Sequence, residues 1–294
     1  MTEYNATDTL RKNLDELSLR SSMTGEQRKI CLTLLISELI ADTDNDTAEV
    51  IYSRFRDLVP EASGSEKLML CKALLESPSL ISEELRESML ALSEDTAAGS
   101  HAKVAYVRNK YNDMAFDIFG KALSNAKQVH SPSFSEACEE VLDNRAEFCI
   151  MPIEDSGDGR LFRFYSMLDR YDLKILSTCE LETEDHAKMI RYALAGKGLT
   201  EKNLNSLLKK KQKQTFEFSL VAPDALFLSD VTEALKSCGA LPQKIDSLPV
   251  EYDHNMRRFF FNVHIAPSEL CALCLYLSLE FSSYTFIGSY PCQK

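Results

Sequence analysis

The sequence lacks the features that would place it in several large protein classes. No apolar run approaches the roughly 20 residues that a membrane-spanning helix needs. The polar start, Met1 to Asp15, does not have the form of a secretory leader. A soluble cytoplasmic protein is the expectation. Positive charge is scarce, with 33 Lys and Arg against 45 Asp and Glu and a formal net charge of -12. A general nucleic-acid binder carries a basic face. The one basic run, Lys209 to Lys211 with Lys213, has no interleaved aromatics and reads as a solvated linker or helix end. The five histidines show no HExxH or other ligand spacing, so neither metal nor cofactor is expected. A disulfide framework is missing as well: the nine cysteines are an odd number, and Cys31, Cys71, Cys138, Cys149, Cys179 and Cys238 sit at apolar positions, as core-filling thiols do. Cys271 and Cys274 form a CxxC without a second pair or a nearby His, inside an apolar helical run.

The chain has 294 residues with 45% hydrophobic content, long enough for two or three domains. Residues 1–98 have almost no strand signal. Leu32, Leu35, Ile36 and Ile40 make one helical stripe, and Val50, Ile51, Phe55 and Leu58 another. Further helices are expected at 65–76 and 81–93, separated by turn signals at Pro60, Gly64 and Pro78. Together they predict a small helical bundle. Leu10 to Leu17 resembles the first helix of the helical chorismate mutases, but the rest of that pattern is absent, and a solvated amphipathic helix explains the same charges.

A composition break at Asp95 to Ser100 predicts a linker, after which the period changes. Lys103 to Val107 reads as a strand, and Asn112 as the cap of a helix running to Gly120. Ser133 to Glu136 fits a capping box ahead of a helix. Phe148 to Ile153 is a short apolar run that suits a buried strand, and Asp155 and Ser156 stand where it would emerge. A helix with Leu161, Phe164, Tyr165 and Leu168 and a strand from Leu173 to Cys179 complete an alternation that predicts a parallel sheet. From Thr215 onward the expected order is strand, helix, strand, strand, helix, strand, the ferredoxin-like split motif.

The series VAYV, SPSFSEACEEVLDNRAEFCIMPIEDSGDG and LDRYDLKIL resembles the first lobe of prephenate dehydratases, lyases that convert prephenate to phenylpyruvate. The final part is similar to the ACT domain that comes next in that family and binds phenylalanine: Ile245 to Pro249 stands at an isoleucine-glutamate-serine-arginine-proline run, and Gly288-Ser289-Tyr290-Pro291 closes as the family does. The resemblance implies an α+β/α/β multidomain protein. Beside the N-terminal helical bundle that periodicity predicts at 1–98, its parts would be a truncated periplasmic-binding-protein-like α/β lobe at 103–198 and a ferredoxin-like ACT domain at 213–294. It further implies a homodimer through the ACT domain.

The departures from the family bear on chemistry. Only Glu182 to Lys188 stands where the family inserts its second lobe, and even one strand-helix-strand unit needs about 30 residues. If Arg191 and Tyr192 match the family's arginine and phenylalanine, Ile190 replaces the threonine that donates to substrate, and isoleucine has no hydroxyl. Arg108 to Asn112 replaces a glycine-rich turn, and Asp155 an asparagine. The candidate cleft is therefore Asp155, Ser156, Arg191 and Asn109, with no catalytic residue assigned. Arg108, Lys110 and Arg191 read either as a new anion site or as ordinary surface charges. Candidate ACT ligand residues are Asp224, Ala225 and Leu226, with Asp224 able to cap a helix, together with Asp246 and Ser247. Three functions are expected in this order: a catalytically impaired sensor of an aromatic amino acid or related acid, an active prephenate lyase whose missing wall comes from the helical region or a second subunit, and an adaptor that grips a protein partner through its helical domain.

Overall fold

The computed structural model describes residues 25–42, 46–92, 101–123, 126–184, 186, 188–200, 204–205, 208–209, 212–250 and 253–291. The amphipathic helix at Leu10 to Leu17, the polar start, the linker at Asp95 to Ser100, and Lys210 and Lys211 of the basic run lie outside them. In chain order the helices begin with α1 (Gly25–Ala41), α2 (Ala48–Leu58), α3 (Gly64–Leu75) and α4 (Glu83–Leu90). Then come β1 (Lys103–Val107), α5 (Lys110–Ala122), β2 (Lys127–Ser131), α6 (Phe134–Leu142), β3 (Phe148–Asp155), β4 (Gly159–Arg160) and α7 (Phe162–Arg170). The next two strands, β5 (Lys174–Glu182) and β6 (Met189–Gly196), form a hairpin. The last part is β7 (Gln214–Ala222), α8 (Leu228–Ser237), β8 (Leu241–Val250), β9 (Asp253–Ile265), α9 (Pro267–Glu280) and β10 (Thr285–Pro291).

These elements form two compact units. The first takes the described chain up to Met89 together with Asp224–Ala240 and Glu269–Ser282, so α8 and most of α9 group with α1 to α4. In α1 the expected stripe is buried through Leu32, Leu35 and Ile36, with Leu39 in place of Ile40. In α2, Val50 turns outward and Tyr52 takes the inner position, because its hydroxyl donates to Glu280 on α9 at 2.8 Å. Lys67 on α3 donates to the other oxygen of Glu280 at 2.6 Å, so a buried cation and a phenol share one carboxylate. Helix α3 starts with a full capping box: Ser63 Oγ accepts from the Glu66 N–H, and the Glu66 carboxylate accepts from the Ser63 N–H. Gly64 occupies the first helical position because the backbone of Asp230 on α8 passes there. A Cβ would stand 1.9 Å from the Asp230 carbonyl oxygen.

The ten strands among the described residues belong to the second unit, in one sheet of order β2-β1-β3-β6-β5-β10-β7-β9-β8, with β4 paired to β3. The sheet is mixed, which corrects the parallel expectation. Pairs β1–β2, β1–β3 and β5–β10 are parallel, and the other pairs are antiparallel. The cause is the short turn after β5, which can only return the chain antiparallel. On one face α6 and α7 cover Cys149, Met151, Ala193 and Ala195. On the other, α5 covers Ile150, Tyr192 and Leu194. Helix α5 begins earlier than expected. Its cap is Asn109, whose Oδ1 accepts from the Asn112 N–H at 2.9 Å, while the Asn112 side chain is buried and donates to the Val107 carbonyl.

Candidate functional site

The candidate site is built by two β-bulges. On β3 the ladder passes from Pro152 opposite Tyr192 to Glu154 opposite Arg191, leaving Ile153 as an extra residue. On β5 it passes from Ile175 opposite Ala195 to Ser177 opposite Leu194, leaving Leu176 extra. Side chains alternate along a strand, so each inserted residue turns the rest of its strand to the other face. Glu154, Thr178 and Glu180 thereby join Arg191 on the face that carries α6 and α7. Arg191 Nη1 donates to Glu154 at 2.8 Å and Nη2 to Glu180 at 2.9 Å. Glu154 is shared, since Lys244 Nζ on β8 lies 2.8 Å from its second oxygen.

Beside this cluster lies the seam of the sheet. Strands β5 and β10 run parallel and pair at one position, Ile175 with Gly288. Their backbones touch there, because a Cβ on residue 288 would stand 2.4 Å from the Ile175 carbonyl oxygen. Toward the carboxyl ends of both strands a cavity of about 390 Å³ opens between Thr178 and Glu180 on one side and Tyr290 and Thr215 on the other. Ligands of open α/β sheets bind in this kind of crevice, outside the strand ends where connections diverge. Gln243, Lys244, Asn262 and His264 complete the wall from β8 and β9. His264 is held below its usual pKa, first by partial burial and then by Lys213 and Arg191, which keeps the ring neutral.

Under the cavity floor sits a fully buried carboxylate. Glu217 on β7 accepts from Arg160 Nη1 and Tyr165 Oη, each at 2.8 Å, from Asn262 Nδ2 at 3.3 Å, and from the Tyr290 hydroxyl. Arg160 turns its Nε to Asp246 at 2.8 Å. Burial and the adjacent carboxylate push the phenols of Tyr165 and Tyr290 well above their ordinary pKa. Burial lowers the Arg160 pKa, but the carboxylates of Glu217 and Asp246 outweigh it, so the guanidinium stays charged. Arg160 also stacks over the Tyr165 ring, 4.5 Å from its centroid. Nothing in the sequence pattern singles out Glu217; its one signal is a carboxylate at a position of β7 between Phe216 and Phe218.

The residues expected at a cleft are dispersed. Arg191 lines the cavity. Asp155 holds a turn, its Oδ1 accepting from the N–H groups of Gly157 and Asp158, with Lys188 3.3 Å away. Ser156 Oγ accepts from the Met189 N–H. Asn109 is the α5 cap. Ile190 packs into the apolar cluster on the opposite face from Arg191. Lys110 pairs with Glu184. Asp224 does not cap α8 directly; it accepts from the Leu226 N–H at 2.9 Å in a turn that delays the helix to Leu228, and Leu226 is 81% exposed. Asp224 to Leu226 fall in the first unit, and Asp246 and Ser247 in the second, where Ser247 Oγ accepts from Arg257. No group of three His, Cys, Asp or Glu among the described residues is arranged to hold a metal, and no described helix is long and apolar enough to cross a membrane.

No family model matches the chain. Over 151 residues it is 29% identical to arogenate dehydratase/prephenate dehydratase 2 of Arabidopsis thaliana, a match covering 50% of this chain and 36% of that chloroplastic protein. The prephenate dehydratase of Streptococcus mutans superposes with a TM-score of 0.52 at 18% identity, over 66% of this chain and 100% of the other. That of Arthrobacter aurescens, solved in complex with L-Phe, gives 0.50 at 13%, over 65% and 90%. The chain is thus similar to prephenate dehydratases in sequence over half of its length and in fold over about two thirds of it, while spanning about a third of the length of the curated relative it matches.

Proposed function

We propose that the protein is a catalytically impaired prephenate-dehydratase-like chain that serves as a sensor of an aromatic amino acid or related acid, dimerising through an ACT-like part over 213–294. The observation that carries the reading is the β5–β6 hairpin. In the family that the chain resembles, a second lobe enters between these strands and walls the substrate cleft. Here Leu181 pairs with Ile190 and Glu182 with Met189, so the sequence has only residues 183–188 to connect the two strands. The side chain at the family's threonine is an isoleucine packed in an apolar cluster, with no hydroxyl to polarise a leaving group. Arg191, the match to the family's arginine, is already neutralised by two carboxylates and offers little to a dianion. The strand order β10-β7-β9-β8 supports the ACT-like part.

Purified protein incubated with prephenate is expected to form no phenylpyruvate above the uncatalysed rate. A turnover number in the ordinary range of about 1–10³ s⁻¹ would establish the lyase instead. Phenylalanine or tyrosine at 100 times its dissociation constant is expected to stabilise the fold by about 2.7 kcal/mol in a thermal-shift titration. The adaptor reading has one observation in its favour, the outward Ile30 and Leu34 of α1, 61% and 54% exposed. It is the reading that remains if neither acid shifts the transition.

A further inference from the structure

The cavity at the β5–β10 seam is a different place from the turn at Asp224 to Leu226, and its chemistry is different from that of a prephenate cleft. We propose that it is a binding site for a small polar amino acid in its zwitterionic form. This goes beyond the sensor reading and does not depend on it.

Charge balance comes first. Two cations, Arg191 and Lys244, and two carboxylates, Glu154 and Glu180, line the space, and His264 adds none. A dianion would face two like charges for every two opposite ones, whereas a zwitterion matches both signs at once. The four groups are also arranged as alternating neighbours. Glu154 lies between Arg191 and Lys244 at 2.8 Å from each, and Glu180 sits on the far side of Arg191 at 2.9 Å. Lys244 is the more available cation. Its side chain keeps 34% of its exposure, and its second carboxylate partner, Asp246, is 3.8 Å away and already bonded to Arg160. A ligand carboxylate therefore docks on Lys244. The ligand ammonium docks on Glu180, whose side chain is 38% exposed.

The walls then select the side chain. Apart from the ring of Tyr290, whose hydroxyl is turned to Glu217, the lining is made of hydroxyl, amide, imidazole and charged groups. An aromatic side chain would find no apolar wall to cover it. The amides of Gln243 and Asn262, each with one N–H in a hydrogen bond and further donor and acceptor capacity, instead suit an amide or hydroxyl on the ligand. The volume of about 390 Å³ lies at the small end of ligand pockets.

The test is isothermal titration of the full chain with L-glutamine, L-asparagine and L-serine. Two probes each lack one charge of glutamine: N-acetyl-L-glutamine and L-glutaminamide. At least one of the three amino acids is expected to bind, and removal of either charge from glutamine, if glutamine is among the binders, is expected to weaken it tenfold or more. Lys244→Gln is expected to weaken binding by a similar factor. Gln243→Ala, at an exposed position, serves as the second variant should the first disturb the fold, and it should weaken binding without moving the melting temperature of the free protein. Absence of heat from all three amino acids at 10 mM, or affinities that both variants leave unchanged, would overturn the proposal. Binding of phenylalanine alone, indifferent to Lys244→Gln, overturns it too while leaving the sensor reading intact.

Discussion

Removal of the Glu217 carboxylate tests the idea that the outer strands and the α7 side of the sheet are joined by one buried charge network. In Glu217→Ala the Arg160 guanidinium, whose side chain is 3% exposed, keeps Asp246 but loses its innermost partner, and the hydroxyls of Tyr165 and Tyr290 lose their acceptor. Deleting one member of a buried, hydrogen-bonded pair costs about 3–5 kcal/mol, because the remaining charge stays buried without compensation. The orphaned hydroxyls place the expected loss toward the upper end of that range. Arg160→Met alone is expected to cost less, since Glu217 keeps three neutral donors. The double variant Arg160→Met/Glu217→Ala should be more stable than the sum of the singles predicts, by more than about 1 kcal/mol, as expected of residues in one network. The chain has no tryptophan, so urea unfolding monitored by far-ultraviolet circular dichroism is the suitable assay. A loss below about 1 kcal/mol for Glu217→Ala, or strict additivity in the double variant, would refute the reasoning, since both require the network to be absent or open to water.

Two other perturbations address the seam and the turn. Gly288→Ala places a methyl 2.4 Å from the Ile175 carbonyl oxygen and 2.8 Å from its Cβ, so β10 must move away from β5; a loss of about 1–3 kcal/mol is expected by urea titration, and a neutral result would mean the strands do not touch there. The Asp155 carboxyl is held below its usual range, first by the Gly157 N–H and then by Asp158 and Lys188, although partial burial acts the other way. A depressed folded pKa supplies stability that is present above the unfolded pKa of about 3.9 and disappears as pH falls through the folded value. The melting-temperature difference between the wild type and Asp155→Asn, which keeps the Oδ1 acceptor but loses the charge, should therefore be constant above about pH 5 and shrink below about pH 4. A difference that widens toward acid contradicts this.

Much of the fold is legible in the sequence because apolar periodicity reports burial. The stripes of α1 and α7, the strand Lys103 to Val107, and the six-element order after Thr215 all come from it. Strand β2 is not legible: Lys127 to Ser131 lies at the sheet edge with one buried residue, so it lacks the alternation that marks a strand. The cavity is not legible either. It depends on bulges at Ile153 and Leu176, and one inserted residue reverses the facing of every side chain after it without leaving a mark on composition. Arg191 is marked in the sequence by resemblance alone, whereas Lys244, Gln243 and His264 reach the same cavity only through strand pairing. The closing Gly288-Ser289-Tyr290-Pro291 run stands out in the sequence by resemblance alone, and the structure gives it a physical reason: Gly288 allows β10 to abut β5, and Tyr290 reaches the buried Glu217.

The seam also sets an order of events during synthesis. About a hundred residues of chain separate β5 from β10, a pairing of the non-local kind that slows folding. When the β5–β6 hairpin has left the ribosome and docked on β3, the far edge of β5 has no neighbour, and an unpaired strand edge is a template for the wrong partner. That edge is covered only when β10 is made and Gly288 reaches Ile175.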